Sequence, residues 1–431
     1  MRICITGASG FLGSHIAAHL HAAGHHIIGA ARRVDAARRQ FPHLDWVTCD
    51  LRFDTVEDWQ ARLVDVDAVI NCAGVLQDGL GEASEAVHVS GASALFEACE
   101  RAKLRRVIHI SAVGIDEPAT SAYARTKRAG EEALKTRDLD WVILRPSLIV
   151  ARTVYGGTAV MRMLAGLPWI TPSVAPDQAF RPICAADVAR AVAECLTAPQ
   201  AVRGTWDIAG PEVKTVGETL TALRRWLGFG ATRIWSVPLP LARLACRIGD
   251  GLGWLGLPSA MRTTALQQLD CDGCGDPRPW QAWSAVRPAT LEAYLHSEPA
   301  SVQDRWHARL APLRPLARVV LGLFWLTTGV IALGPGREAA LAVLNAGGFG
   351  DAVRGPLLWA TSIMDIALGL TMLMGWRTRL VALGMIGGTL AYVAAISLSL
   401  PELWLDPLGP VLKVFPGMML AALIAATEDK R

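Results

Sequence analysis

The sequence predicts an α/β chain: a doubly wound parallel sheet with a small second lobe, followed by an all-α bundle of four membrane-spanning helices. Three observations predict it. A glycine-rich turn, Thr6-Gly7-Ala8-Ser9-Gly10-Phe11-Leu12-Gly13, follows a short apolar run and opens a segment with helical spacing. Apolar runs and helical segments then alternate up to about residue 150. Beyond Arg318 the chain becomes a series of long apolar stretches nearly free of charge.

Taken in order, Arg2-Ile3-Cys4-Ile5 is the first strand, and Ser14 to Leu20 carries apolar residues at helical spacing. A strand, a glycine turn and a helix form the context in which such a turn holds a dinucleotide. Gly7 permits the tight turn, Gly10 lets the backbone approach a pyrophosphate, and Gly13 lets the helix pack on the sheet. Thr6, Ser9, Phe11 and Leu12 complete the cradle, where helix N–H groups and the helix dipole favour phosphate charge. Ile27 to Ala30, Trp46 to Thr48, Ala68 to Asn71, Val107 to Ile110 and Trp141 to Leu144 are the next five strands. Helices such as Gly91 to Ala102 and Ala122 to Thr136 fall between them. Apolar parallel strands are covered on both faces, and ligands sit beyond their carboxyl ends.

Those strand ends carry the chemistry. The second strand runs into Ala31-Arg32-Arg33, with no carboxylate to bind ribose hydroxyls. Two arginines there suit a 2′-phosphate, so NADP is favoured, with NAD as the alternative. The competing reading makes both arginines solvated surface charge. Asp50 and Leu51 follow the third strand, where Asp50 would reach the adenine. Ala73-Gly74 follow the fourth and let the cofactor lie against backbone. Ser111 ends the fifth strand, and Tyr123 and Lys127 lie four apart on one helix face. A tyrosine with a pKa near ~10 is a poor acid or base at neutral pH. An adjacent ammonium stabilises the tyrosinate and lowers that value. Ser111 would hold a carbonyl or hydroxyl beside the tyrosine.

With TGxxGxxG, Asn71-Cys72-Ala73-Gly74, Ser111, YxxxK and Arg145-Pro146 in this order, the chain resembles the short-chain dehydrogenase/reductase superfamily, in its extended, atypical branch. Arg181-Pro182-Ile183 with Asp187-Val188-Ala189 is similar to a segment near the substrate site of that branch. The resemblance covers about residues 1–300, and extends to the family of the nucleotide-binding accessory subunit of respiratory complex I and its bacterial relatives. It implies a Rossmann domain with a substrate lobe over about 151–300. It also implies Ser111, Tyr123 and Lys127 as catalytic residues, and the turn, Arg32, Arg33, Asp50, Leu51, Ala73, Gly74 and Pro146 around NADP. Many members of that branch bind the nucleotide without demonstrable turnover. Three readings therefore stand: a reductase acting on a small, lipid- or quinone-like molecule, an epimerase or dehydratase using the same residues, and a non-catalytic structural or redox-sensing module of a membrane assembly.

Other features are weaker. Gly166 to Pro172 is expected to form a lid, by the same resemblance. Leu241, Leu244, Ala245, Ile248, Leu252 and Leu255 form an apolar stripe beside Arg243 and Arg247, suited either to a membrane surface or to capping the lobe. His15 and His19 have metal-compatible spacing but no carboxylate or cysteine joins them, and Cys271-Asp-Gly-Cys274 is a lone CxxC, so no metal is expected. The net charge of +3 argues against a nucleic-acid partner. A strand beginning at residue 2 leaves no room for a leader, which places the nucleotide domain in the cytoplasm.

A basic linker over 301–315 precedes the apolar region. Residues 316–333, 356–374, 380–400 and 408–427 are four spans near the ~20 residues a bilayer requires. Gly384 and Gly388 form a GxxxG for close helix packing. Arg305, Arg309, Arg314 and Arg318 ahead of and at the start of the first span, Arg377 and Arg379 after the second, and Lys430 and Arg431 at the end put both termini inside, while Arg337 and Arg354 leave the loop between the first two spans ambiguous. Asp365 and Lys413 fall within spans, where an ion pair between them is feasible. The region resembles a DoxX-like four-helix membrane domain, a family whose better-known members are linked to quinone redox chemistry. A multi-pass protein of the inner membrane follows, in contact with lipid and open to membrane-protein partners.

Overall fold

The computed structural model describes residues 1–75, 83–104, 106–116, 121–254, 263, 266, 273–407 and 409–428. It divides into two compact units that part between Ala308 and Arg309.

The first unit is built on seven strands. They are β1 (Arg2–Thr6), β2 (His26–Ala31), β3 (Asp45–Thr48), β4 (Ala68–Asn71), β5 (Arg106–Ile110), β6 (Asp140–Pro146) and β7 (Gly204–Ile208). All pairings are parallel, in the order β7-β6-β5-β4-β1-β2-β3. Alternate side chains leave the sheet on opposite faces. Ile3 and Ile5 join a core with Ile16 and Leu20 of α1 (Phe11–Ala22). Cys4 joins a second core with Leu95 and Phe96 of α2 (Gly91–Arg101) and Leu134 of α3 (Ala122–Lys135). The predicted double cover of the sheet is thus present. The order reverses at β1 and β4, and the carboxyl ends there open the crevice in which such sheets bind ligands.

The six expected strands are all found, and β7 is an addition. Gly-Thr-Trp-Asp-Ile is mixed and half-exposed, so it carries no strand signature. It is recruited by parallel pairing with β6, Gly204 opposite Val142. Between β6 and β7 lies α4 (Ala185–Thr197), which packs on α1. The second lobe has its own core, including Phe180, Leu220, Leu223, Leu227, Leu291 and Leu295. Within the segment expected to form a lid, Ile170–Ser173 is a strand held parallel to Arg233–Ser236, so its second half is pinned rather than free. That pair leads into α5 (Leu239–Trp254). Of the stripe expected there, Leu255 lies outside the described residues, as does Cys271 of the CxxC. Part of the expected linker is helical, Val302–Leu310, and its Ala308 packs on Gly166 of the first unit.

The second unit holds α6 (Leu313–Leu333), α7 (Arg337–Ala346), α8 (Asp351–Met374), α9 (Thr378–Ser399) and α10 (Val414–Thr427). Among the described residues three helices, α6, α8 and α9, are long and apolar enough to cross a membrane. The fourth expected span is shorter than expected. Gly409, at φ +59°, and Pro410 keep the chain in turns up to Lys413, so α10 has 14 residues, about 21 Å at helical rise. Lys413 is the exposed N-cap of α10 and not a group inside the helix. Asp365 is buried and accepts a hydrogen bond from Tyr392 Oη at 3.0 Å, which supplies the partner the sequence had sought in Lys413. The tightest helix crossing also uses other glycines. A Cβ on Gly369 would meet Leu326 N at 2.5 Å, and one on Gly329 would meet Ser362 O at 2.6 Å, whereas of the expected pair Gly388 comes within 3.1 Å of the Trp325 ring and Gly384 meets nothing closer than 3.4 Å.

Candidate functional site

The site is assembled at the carboxyl ends of β1, β4 and β5. Leaving β1, the chain turns at Gly7, whose φ is +67°, and Gly10 N–H donates to Gly7 O at 2.8 Å. Gly10 is the N-cap of α1 and has no side chain to satisfy the helix's first N–H groups. A Cβ on Gly7 would stand 3.0 Å from Ala73 N, and one on Gly13 2.2 Å from Gly7 O. The turn is therefore closed on the protein side by backbone and open at its exposed apex, Gly10. These residues fit a dinucleotide, with a pyrophosphate received by the free N–H groups of α1.

Asn71 ties the turn to β4. Thr6 Oγ1 donates to Asn71 Oδ1 at 2.6 Å, and Ala73 N–H reaches the same oxygen at 3.3 Å. With its oxygen so engaged, Asn71 Nδ2 is the donor to His109 Nδ1 at 3.1 Å, which leaves the proton on His109 Nε2. That nitrogen is buried with no partner among the described residues. Burial holds His109 well below the usual imidazole range.

Ser111 follows β5, fixed by its N–H donating to Leu144 O at 2.8 Å. Its hydroxyl is buried and unpartnered among the described residues. Ser121 caps α3 by accepting from Ala124 N–H at 3.1 Å, which sets Tyr123 in the first turn and Lys127 one turn on. Lys127 is 5% exposed, and its Nζ donates to Ile110 O at 2.9 Å, beside Gly74. Burial lowers the Lys127 ammonium to about 8. Burial, with Tyr155 nearby, pushes the Tyr123 phenol up to about 12. The shift of Tyr123 is therefore opposite in direction to the lowering expected from the lysine: burial sets it, and the lysine bonds a carbonyl.

His88 was not singled out by sequence reasoning. It lies in the π-helical turn Ala86–Ser90 ahead of α2. Val75 N–H donates to its Nε2 at 2.9 Å, so Nδ1 carries the proton and donates to Thr126 Oγ1 at 2.9 Å. Its ring stands edge-on to Tyr123 at 5.7 Å. Burial and the nearby Lys127 push it down to about 3, so it is a neutral brace between the loop after β4 and α3. The only sequence signal was a histidine inside an otherwise apolar helical run.

Other candidates are placed as follows. Both Asp50 oxygens engage Arg52, which holds the carboxyl below its ordinary range, with Arg32 close enough to contribute. Leu51 is buried, and its carbonyl abuts Gly91. Arg32 and Arg33 are exposed beyond β2. Phe11 stacks on Tyr155 of the second lobe at 6.0 Å. Arg145 is engaged by buried Glu131 at 2.6 and 2.8 Å, and Pro146 pairs with Ile208 in β7. Asp187 is buried and bonds Cys184, Arg190 and the Ala289 N–H, fastening α4 to the end of the lobe. Arg145 and Asp187 thus serve the framework.

Comparisons with known proteins bear on the fold and on the class of cofactor. The NAD(P)H-binding family matches residues 7–199, and the DoxX-like family matches residues 322–422. The probable low-salt glycan biosynthesis reductase Agl14 of Haloferax volcanii is 30% identical over 276 residues, 56% of this chain and 86% of that protein. The ceramide reductase of Caulobacter vibrioides is 33% identical over 152 residues, 34% of this chain and 46% of that protein, so the match spans about half of that relative. The mitochondrial NADH dehydrogenase (ubiquinone) 1 alpha subcomplex subunit 9 of Rattus norvegicus is 26% identical over 263 residues, covering 58% of this chain and 65% of that one. Among solved structures, UDP-glucuronic acid 4-epimerase from Bacillus cereus with UDP-glucuronic acid and NAD has a TM-score of 0.52 at 19% identity, over 73% of this chain and 100% of that one. The Bordetella bronchiseptica enzyme WbmH with NAD+ has a TM-score of 0.52 at 18% identity, over 72% and 98%. At those identities the likeness is one of fold. The chain belongs to the NAD(P)H-binding family, with a DoxX-like domain fused behind it. Its cofactor is a nicotinamide dinucleotide, and the DoxX-like domain with its three apolar helices associates it with a membrane.

Proposed function

We propose that this chain is a membrane-anchored, NADPH-preferring reductase of a carbonyl group on a membrane-soluble molecule. The observation that carries the reading is the buried Ser111 hydroxyl, unpartnered among the described residues and one residue beyond the carbonyl that Lys127 bonds. A buried hydroxyl without a partner is costly, and a substrate oxygen would satisfy it. Ser111 holds that oxygen. Tyr123, kept protonated by burial, donates its proton to it, and the Lys127 ammonium stabilises the phenolate left behind. The bound nicotinamide supplies the hydride. A phenol that stays protonated well above neutral pH suits the reductive direction. Two curated relatives named as reductases support the same class. Turnover of NADPH by the full chain with membrane lipid extract as the substrate source tests the proposal, with Tyr123→Phe as its control.

Two observations favour a rival, a non-catalytic nucleotide-binding module of a membrane assembly. Lys127 engages Ile110 O, and Tyr123 stands above its ordinary value rather than below it. A Phe variant that restores cells lacking the protein as well as the parent chain does would select that rival.

Cofactor preference rests on Arg32, Arg33 and the absent carboxylate after β2. Charge-assisted bonds to phosphate contribute about 1.5–3 kcal/mol each. Arg32→Ala with Arg33→Ala should therefore weaken NADPH by roughly tenfold or more and leave NADH nearly unchanged. Titration calorimetry with both nucleotides reads the difference, and equal affinities in the parent chain would refute the preference.

Sidedness follows from the arginines before α6 and between α8 and α9, against Glu402 and Asp406 after α9. The nucleotide unit then lies in the cytoplasm. A reporter active only outside the cytoplasm should work when inserted at Glu402 and stay silent at the C-terminus. Activity at the C-terminus would mean that the 14-residue α10 does not cross.

A further inference from the structure

The second lobe carries a helix with its larger apolar residues outward. In α5 the small residues Ala242, Cys246 and Gly249 face inward. Leu241, Leu244 and Ile248, at helical spacing, are 54%, 56% and 56% exposed. A helix lying on a soluble protein does the reverse, burying its larger apolar side chains. The segment that leads into the helix is exposed as well. The chain enters α5 from the strand Arg233–Ser236, where Trp235 is exposed. That strand pairs with Ile170–Ser173, with Arg233 opposite Ile170 and Trp235 opposite Pro172. Trp169, just ahead of it, is 85% exposed. Patches of this kind mark interaction surfaces.

We propose that this face of the second lobe, formed by Trp169, Trp235 and the outer side of α5, lies on the headgroup region of an anionic phospholipid bilayer. Three features select a bilayer over a protein partner. Arg233, Arg243 and Arg247 are exposed among the apolar residues, while no acid occurs from Gly166 to Ser173 or from Ala231 to Gly249. That charge complements an anionic lipid surface. Two exposed tryptophans suit the interface, where a ring has an apolar body and a polar edge. The chain also carries its own apolar helices, so a bilayer is at hand. The proposal rests on the membrane association above and is independent of the catalytic reading. Its consequence is that the lobe expected to receive substrate meets lipid directly.

Photo-crosslinking of the full chain in vesicles of phosphatidylcholine and phosphatidylglycerol tests it. p-Benzoylphenylalanine is placed in turn at Leu244, at Val64, which is exposed elsewhere on the first unit, and at Leu323, which is exposed on α6. Leu244 should give roughly tenfold more lipid adduct than Val64, as expected of a residue at headgroup depth. Arg243→Glu with Arg247→Glu should remove most of that adduct and leave the Leu323 adduct unchanged. Protein adducts at Leu244, to a second copy or to this chain's own helices, would overturn the proposal. So would lipid labelling at Leu244 no greater than at Val64 while Leu323 labels lipid. Absence of lipid adduct at Leu323 would instead overturn the membrane association on which it stands.

Discussion

Gly13→Ala is expected to weaken NADPH binding by roughly ten- to a hundredfold, the equivalent of the ~1–3 kcal/mol that overpacking costs. The added methyl would stand 2.2 Å from Gly7 O and 2.8 Å from Gly7 C, both backbone atoms that no rotamer change can move. Either α1 withdraws from the sheet or the Gly7–Gly10 turn shifts, and both move the helix N–H groups away from the phosphates. Gly24→Ala is the control. Gly24 has φ +85° but meets nothing within 4 Å of a built Cβ. Its substitution should cost about 1–2 kcal/mol of stability through the left-handed backbone alone. Nucleotide affinity should stay unchanged there, so thermal melts and calorimetry on the two variants separate a damaged cradle from a merely less stable domain.

Tyr123→Phe should lower the turnover number by about 10²–10⁴, the usual contribution of a positioned acid. The nucleotide Kd should stay within about threefold, because the glycine turn forms the phosphate site without the phenol. The pH profile follows from the same groups. Tyr123 remains protonated up to about 12, so it sets no limb in the working range. Lys127 loses its proton as the pH rises through about 8. If the ammonium stabilises the phenolate that forms on Tyr123, the rate of reduction is full below that value and falls above it, toward tenfold per unit. A flat profile through pH 9–10 would remove Lys127 from that role.

Much of the fold was legible because its signals are local. The β1–Gly7–α1 turn, five further apolar strands and the long apolar helices each carry their pattern within a few residues. Long-range features were not. β7 is a strand because β6 offers it a parallel edge, not because Gly204–Ile208 alternates. The packing glycines of the helical unit, Gly329 and Gly369, carry no GxxxG spacing within one helix, since their complementarity lies between α6 and α8. α10 begins late because Gly409 and Pro410 outweigh an apolar composition that a sliding window averages over. At the site, Ser111, Tyr123 and Lys127 were readable as a motif. What Lys127 touches was not, since its partner is a backbone carbonyl of β5. His88 and His109 were hidden for a related reason: each is a polar residue in an apolar run, and only the folded structure supplies Val75, Thr126 and Asn71 as their partners.

The most direct measurement follows deuterium from NADPH labelled on the transferred position of the nicotinamide. The full chain in phospholipid vesicles is supplied with a membrane lipid extract, and the lipids are analysed by mass spectrometry after incubation. Deuterium should appear on a carbon-bound position of an alcohol product with the parent chain, and be absent with Tyr123→Phe. Tight NADPH binding by the parent chain with no loss of its deuterium to any lipid would contradict the assignment of this protein as a reductase of membrane-soluble carbonyls.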